Sequence, residues 1–217
     1  MQEKNETQVK RDPEGVRRDI LRVATRIFSE DGLSGARIDD IAAATKTSKR
    51  MIYYYFGDKE GLYQSCLEAA YASVRFGEEQ LELGDLPPEK ALAKLVGFTF
   101  DHHRRNPEFI RMVMIENVHK AKYLRRSKHI GQMNRPAIQM LSQILQRGQG
   151  QGVFHPDLDP LELHWLISSL SFFNVSNRPT FSAIYGEALF AEAGQDQLRQ
   201  HVVDMILAFV RKPKDSI

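Results

Sequence analysis

A short stretch of the sequence, residues 46–59, combines basic and phenolic side chains. Four cations outnumber one acid there, which gives a local formal charge of +3, and three tyrosines lie among these charges. Ammonium, guanidinium and phenol groups donate hydrogen bonds to phosphate oxygens, and arginine also binds the edges of bases. These residue types therefore indicate a surface that binds nucleic acid. The cations are Lys46, Lys49, Arg50 and Lys59, and the acid is Asp58.

The elements around this stretch predict a helix-turn-helix. A short helical segment, a polar turn and a second helical segment follow one another, and Gly57 then interrupts the helix. Asp58 caps a further, longer helix that runs to about Leu83. In a helix-turn-helix the second helix lies in the major groove, so its outer face needs hydrogen-bond donors. The three segments are residues 38–44, 45–47 and 48–56.

An amphipathic helix is predicted before this motif. Asp12 can accept hydrogen bonds from the free amides of a helix start, and Pro13 suits the first helical position. Apolar side chains recur at spacings of three and four over residues 16–28, and Gly32 ends the helix as a left-handed cap. Residues 1–12 are polar and are expected to form a flexible tail.

The remainder of the chain is also predicted to be helical. Residues 84–88 hold a glycine and two prolines and separate the first helices from the rest. No segment shows sustained period-two alternation, and the one strand-like run, Ile52–Phe56, has no partner strand. The fold class is therefore predicted to be all-α. The later helices are residues 88–105, 107–118, 120–149, 159–177 and 195–212, with breaks at Asn106-Pro107, Pro136 and residues 177–179.

These motifs resemble the TetR family of transcriptional regulators. The resemblance covers about 50 residues at the N-terminus, and the motifs that carry it are Gly35–Ala42, Thr47–Lys49 and Ile52–Tyr63. The family pattern at the end of the recognition helix is an aliphatic residue, Tyr, Tyr, an aromatic residue or His, Phe, two variable residues, Lys and Glu. Residues 52–60 match it throughout. The C-terminal two thirds is similar to the family in length and helical content alone.

The resemblance implies roles for individual residues. Ile41, Ala42, Ile52 and Phe56 would form the core of the motif. The chain departs from the family at Arg37, where Thr or Ser usually caps the second helix, although arginine can still contact a phosphate or the minor groove. The residues implied to bind DNA are Arg37, Thr47, Ser48, Lys49, Arg50, Tyr53, Tyr54 and Lys59.

The resemblance also implies an architecture. Residues 13–73 would form the DNA-binding domain, with the helix-turn-helix at about residues 37–56, and residues 74–217 a helical domain for effector binding and dimerisation. The helix of residues 159–177 is apolar on two sides and must bury both. One side would meet a partner subunit and the other a small effector; the alternative is a solid core without a cavity. The expected effector-binding residues are Phe98, Met112, Glu116, Trp165, Ser168 and Phe172. The expected dimer residues are Leu170, Phe173, Leu198, Val202, Ile206 and Phe209.

Other classes of function find little support in the sequence. The net charge of +2 argues against non-specific coating of DNA, and the 42% hydrophobic content against a disordered chain. Adjacent His102 and His103 point to different helix faces, which disfavours a metal site. No nucleophile elbow or strand to hold one is found, so no catalytic residue is expected, and no cofactor is expected either. The glycines of residues 148–152 follow a helix instead of a strand, which disfavours a phosphate-binding loop. The absence of an apolar leader and of a long apolar segment favours a cytoplasmic protein that does not enter membranes.

The sequence therefore predicts a homodimeric transcriptional regulator, a repressor that a small effector releases from a palindromic DNA operator. Two alternatives within the same class remain open: a regulator that needs no small ligand, and an activator. A more remote alternative is an all-α enzyme, for which no convergent polar groups are found.

Overall fold

The computed structural model describes residues 12–212, which form ten α-helices and two short 3₁₀ helices. Within these residues the only extended pairing is one isolated bridge between Phe154 and Arg211. The all-α fold class is thus confirmed. The predicted tail lies outside the described residues, apart from Asp12. The α-helices are α1 (Pro13–Gly35), α2 (Ile38–Ala44), α3 (Lys49–Phe56), α4 (Lys59–Glu79), α5 (Pro88–Arg105), α6 (Pro107–Val118), α7 (Ile130–Gly150), α8 (Pro160–Ser176), α9 (Arg178–Tyr185) and α10 (Glu192–Val210); the 3₁₀ helices are Leu124–Arg126 and Ala188–Phe190.

The chain divides into two compact units between Leu67 and Glu68, inside α4. In the first unit the apolar faces of α1, α2, α3 and the start of α4 form one core. Phe28 and Tyr63 lie at its centre, both fully buried, with their rings edge to face at 5.1 Å between centroids. This core fixes α2 and α3 against α1 and therefore determines which face of α3 remains outside.

The ends of α1 follow the sequence closely. The Asp12 carboxylate accepts a hydrogen bond from the Glu14 amide at 3.1 Å, which caps the helix as predicted. Gly32 has a φ of +67°, the left-handed region that glycine adopts without strain. The helix is interrupted there but resumes for one more turn, to Gly35, before α2 begins.

The second unit is built around α5, which packs against α6, α7, α8 and α10. Phe100 of α5, Ile167 of α8 and Val203 of α10 belong to one buried cluster. At Gly97 the helices α5 and α10 approach so closely that a Cβ atom would lie 2.2 Å from the Arg199 side chain. Arg199 in turn donates to Asp101 at 2.9 Å, so α5 and α10 are joined by polar as well as apolar contacts.

Three features of the helices differ from the prediction. Pro136 does not break α7: its fixed φ is helical, the loss of its N–H removes one hydrogen bond, and the helix remains anchored by buried Leu141 and Ile144. Residues 120–129 do not join α7, because Lys120 and Ala121 both have positive φ and form a turn. Helix α9 was missed, although the break before it was placed correctly.

Candidate nucleic-acid interface and ligand cavity

Local hydrogen bonds fix the turn between α2 and α3. The Thr47 amide donates to the Ala42 carbonyl at 3.1 Å, and Lys46 adopts a φ of +51° to let the chain reverse. The Ser48 hydroxyl oxygen accepts from the Met51 amide at 3.2 Å and caps α3. These bonds orient the first turn of α3, so the exposed side chains there project from a rigid base.

The side chains of α3 separate into two faces. Ile52 is fully buried and Phe56 is 8% exposed, whereas Tyr53 is 43% and Tyr54 79% exposed. Lys49 and Arg50 are exposed as well. Because this face is exposed and carries two cations and two phenols, it is available to an anionic partner. Of the eight residues predicted to bind DNA, Arg37, Ser48, Lys49, Arg50, Tyr53 and Tyr54 are exposed, and Thr47 and Lys59 are half-buried.

Two of these cations have partners within the protein. The Lys49 ammonium lies 2.5 Å from the Asp39 carboxylate, in a pair whose side chains are both about half exposed. The Lys59 ammonium contacts the Ser34 carbonyl oxygen at 3.4 Å, which holds the start of α4 to the end of α1. Arg37 stands at the start of α2 without a side-chain cap hydrogen bond, as the departure from the family pattern suggested.

The second unit contains a cavity of about 390 Å³. Its walls come from five helices, α4 to α8, and combine aromatic rings with amides, histidines and a buried ion pair. In that pair Arg75 Nη1 lies 2.7 Å from Glu78 Oε2, and the two side chains are 13% and 5% exposed. The lining residues are Tyr71, Val74, Arg75, Glu78, Thr99, His103, Phe109, Val113, Asn117, Asn134, His164, Trp165, Ser168, Ser169 and Phe172.

Burial shifts the titration of the cavity groups. It raises the pKa of Glu78 to about 7, although Arg75 opposes the shift. It lowers the pKa of His103 to about 4 and also lowers the pKa of His164, because a charged imidazole loses its hydration there. Near neutral pH both histidines are therefore uncharged, and they can offer one donor and one acceptor each to a ligand.

Half of the expected effector residues line this cavity, namely Trp165, Ser168 and Phe172. The other half do not. Phe98 packs on α4 so closely that a Cβ atom at Gly77 would lie 2.5 Å from its ring. Met112 is fully buried in the core, because α6 turns that side chain away from the cavity.

Glu116 is buried for a structural reason. Its Oε2 accepts the amides of Tyr123 and Leu124 at 3.1 and 2.9 Å. These two bonds hold the turn in which Lys120 and Ala121 have positive φ. Glu116 thus stabilises the connection between α6 and α7 and does not line the cavity, contrary to the prediction.

Apolar side chains on α8 and α10 remain exposed in the single chain. Leu161, Trp165 and Phe173 of α8 are 62%, 66% and 55% exposed, and Met205 and Phe209 of α10 are 58% and 45% exposed. We call these five residues the α8–α10 apolar surface. Several large apolar side chains left exposed on two helices favour a protein–protein contact there.

The α8–α10 apolar surface differs from the set of six residues that were expected to form the dimer contact. Val202 and Ile206 belong to that set, but each is only 3% exposed because it packs in the core of its own chain. Leu170 and Leu198 are partly buried against the same core. Phe173 and Phe209 alone, among the six residues expected there, are exposed.

Sequence reasoning missed the Arg75–Glu78 pair. A signal was present, since Tyr71, Val74, Arg75 and Glu78 recur at spacings of three and four and must share one face of α4. Two charged residues on a face with Tyr and Val indicate a polar interior.

Comparison with protein families identifies both parts of the chain. A family described as bacterial regulatory proteins, tetR family, matches residues 20–66. A family described as tetracyclin repressor-like, C-terminal domain, matches residues 88–206. Among helices of residues 12–212, none has the length and apolar character needed to cross a membrane.

Individual relatives agree with these matches. The chain is 36% identical over 196 residues to the HTH-type transcriptional repressor NicS of Pseudomonas putida, covering 90% of this chain and 92% of NicS. It is 32% identical over 110 residues to the HTH-type transcriptional repressor SCO4008 of Streptomyces coelicolor, covering 50% of this chain and 53% of that protein. Both relatives are named transcriptional repressors, which confirms the predicted class of transcriptional regulator.

Solved structures share the fold. A bacterial regulatory protein in the tetR family from Rhodococcus superposes with a TM-score of 0.70 at 18% identity, covering 92% of this chain and 98% of that one. The ketosteroid transcriptional regulator KstR2 of Mycobacterium tuberculosis superposes with a TM-score of 0.66 at 19% identity, covering 91% and 95%. At these identities the likeness concerns the fold.

Proposed function

Because the chain belongs to the TetR family of bacterial regulatory proteins, we propose that it is a homodimeric repressor that binds a palindromic operator and is released by a small effector. The observation that carries this proposal is the outer face of α3, where Lys49, Arg50, Tyr53 and Tyr54 are exposed beside buried Ile52 and Phe56. The outer face of the second helix of a helix-turn-helix enters the major groove, and this rule supports the assignment of the α3 face to DNA. Repression is favoured over activation because the relatives NicS and SCO4008 are both named repressors.

The proposed contacts with DNA fall into two groups. Tyr53, Tyr54 and Lys59 bind phosphates, which fixes the register of the recognition helix without reading sequence. Thr47, Ser48, Lys49 and Arg50 lie at the start of the helix, where side chains reach base edges or the adjacent phosphates. Arg37 contacts a phosphate or the minor groove. Since phosphates supply much of the affinity, binding weakens steeply as salt increases.

The proposed effector site is the cavity of about 390 Å³. It combines apolar walls with a few polar groups, which is typical of small-molecule sites. Its amides, neutral histidines and Arg75–Glu78 pair would orient a partly polar organic molecule. Four of its residues lie on α4, whose first turns belong to the first unit, so a change in α4 can couple the effector to DNA binding.

The proposed dimer forms through the α8–α10 apolar surface. Two helices from each subunit would give a four-helix contact, and a twofold symmetric dimer requires an operator with matching symmetry. We also propose that the protein acts in the cytoplasm, where its DNA lies.

Two linked experiments test the function. Selection of bound sites from random DNA is expected to yield one palindromic sequence, and a metabolite screen on that sequence is expected to yield a compound that releases the protein. Trp165 is the only tryptophan and lies at the cavity wall, so its emission and the melting temperature should both change with the compound. Recovery of no enriched DNA sequence would contradict the proposed DNA binding. Release of DNA without a change in either Trp165 emission or melting temperature would contradict the proposed effector site.

A matched pair of variants locates the effector. Ser168→Leu fills the cavity and should abolish release while the protein still binds the operator. Ser73→Leu makes the same change at an exposed position of α4 that does not line the cavity, and should respond like the wild type. Equal responses of the two variants would place the effector elsewhere.

A further inference from the structure

A second cavity, of about 420 Å³, lies among α5, α6, α8, α9 and the start of α10. It shares no residue with the cavity proposed for the effector. Helix α6 contributes to both: Phe109, Val113 and Asn117 line the first cavity, and Ile110, Arg111 and Met114 line the second. The two cavities therefore lie on different sides of α6 and are separate sites.

Positive charge distinguishes the second cavity. Arg104 of α5, Arg111 of α6 and Arg178 of α9 converge on it from three helices, while Glu187 is the single acid among its lining residues. Guanidinium groups bind carboxylates and phosphates through paired hydrogen bonds, and three of them around one space leave a net positive charge for an anion to neutralise.

The existing ion pairs leave these arginines available. Arg104 is 3.7 Å from Asp196, and Arg178 is 3.5 Å from Glu187. The acids are 66% and 68% exposed, so both pairs are weak and screened by water. No ion pair or hydrogen bond is found for the Arg111 side chain among residues 12–212. An entering anion can thus replace the acids at little cost.

The floor of the second cavity is preformed. Asn174 and Gln195 are 7% and 4% exposed, and their side-chain amides exchange hydrogen bonds of 2.8 and 3.0 Å. Gln195 Nε2 also donates to the Leu189 carbonyl at 3.0 Å, which fixes its orientation. A floor that is already satisfied needs no rearrangement when a ligand enters.

Apolar and aromatic groups occupy the rest of the wall. Phe190 lies beneath the guanidinium of Arg178, 5.5 Å from the ring centre, and Ile110 and Val175 are close by. A site that holds charge at one part and apolar surface at another selects molecules with the same division. We propose that the second cavity binds a small organic anion, an apolar or aromatic body that carries a carboxylate or phosphate group.

Four aromatic probes of different charge test this proposal on the full chain by titration calorimetry. They are phenyl phosphate, benzoate, neutral benzyl alcohol and cationic benzylamine. We expect phenyl phosphate and benzoate to bind and the other two to bind at least about tenfold more weakly, because a charge-assisted hydrogen bond is lost. The ratio of the first two affinities distinguishes a phosphate from a carboxylate site. Benzyl alcohol binding as tightly as the anions would overturn the proposal, and so would the failure of both anions to bind.

Variants assign the binding to the cavity. Arg111→Gln and Arg178→Gln should each weaken binding of the better anion about tenfold. Arg105→Gln is the matched control, since Arg105 is an exposed arginine of α5 that does not line the cavity. An equal loss in Arg105→Gln would show non-specific attraction. A loss confined to Ser168→Leu would place the anion in the first cavity; either result overturns the proposal without affecting the proposed repressor function.

Discussion

The ion pair between Lys49 and Asp39 should oppose DNA binding. The pair is 2.5 Å long, and Lys49 must leave Asp39 if it is to bind a phosphate or a base. Replacement of Asp39 by Asn in the Asp39→Asn variant removes this competitor. We therefore expect the variant to bind its operator more tightly than the wild type does.

The exposure of the pair sets the size of the effect. Both side chains are about half exposed, and pairs of this kind contribute about 0.2–1 kcal/mol. A dimer that engages two half-sites breaks two such pairs, so the gain is about 0.4–2 kcal/mol, which is a twofold to thirtyfold increase in affinity. The assay is fluorescence anisotropy of a labelled operator at several salt concentrations, because affinities compare only at equal salt.

Asp40 provides the matched control. It is also an exposed acid in the first turn of α2, and no ion pair is found for it among residues 12–212. Asp40→Asn removes the same charge and should change the affinity less than twofold, since it has only a screened, long-range effect. Equal gains in both variants would refute the local competition. Weaker binding by Asp39→Asn would show that Asp39 instead holds Lys49 in its binding position.

Three other predictions concern the exposed face of α3, the buried Glu78 and the α8–α10 apolar surface. Tyr54→Phe should weaken all DNA sequences about equally, whereas Arg50→Ala should cost about 1–3 kcal/mol at one base position; site selection with an unchanged preference would remove Arg50 from the residues that read bases. Burial raises the pKa of Glu78 from 4.5 to about 7, so its stabilising contribution is complete below pH 4.5 and is lost as pH rises through 7. The stability of the wild type relative to Glu78→Gln should therefore fall by about 3 kcal/mol over that range, and urea unfolding that shows a pH-independent difference would contradict the raised pKa of Glu78. Met205→Asp should yield a folded monomer in sedimentation, whereas Val118→Asp, at a residue 77% exposed on α6, should remain dimeric; a dimer in both variants would place the interface elsewhere.

The exposed face of α3 could be predicted from the sequence because its geometry is local. The alternation of buried Ile52 and Phe56 with exposed Tyr53 and Tyr54 follows from the helical period, which depends on no other element of the fold. The caps of α1 and α4 were likewise correct, since the side chains of Asp12 and Asp58 each bond to an amide two or three residues away.

The cavities and the apolar surface were decided by tertiary structure. Sequence periodicity shows that Val202 and Ile206 lie on an apolar face, but not whether that face meets its own chain or a partner. The path of α5 settles this, because α10 packs on it and buries both residues. In the same way, the sequence alone is compatible with a pocket position for Glu116. In the structure the turn at Lys120 and Ala121 places two backbone amides against its carboxylate. Local bonds are encoded within a few residues, whereas the choice of partner for a helix face depends on every element that competes to cover it.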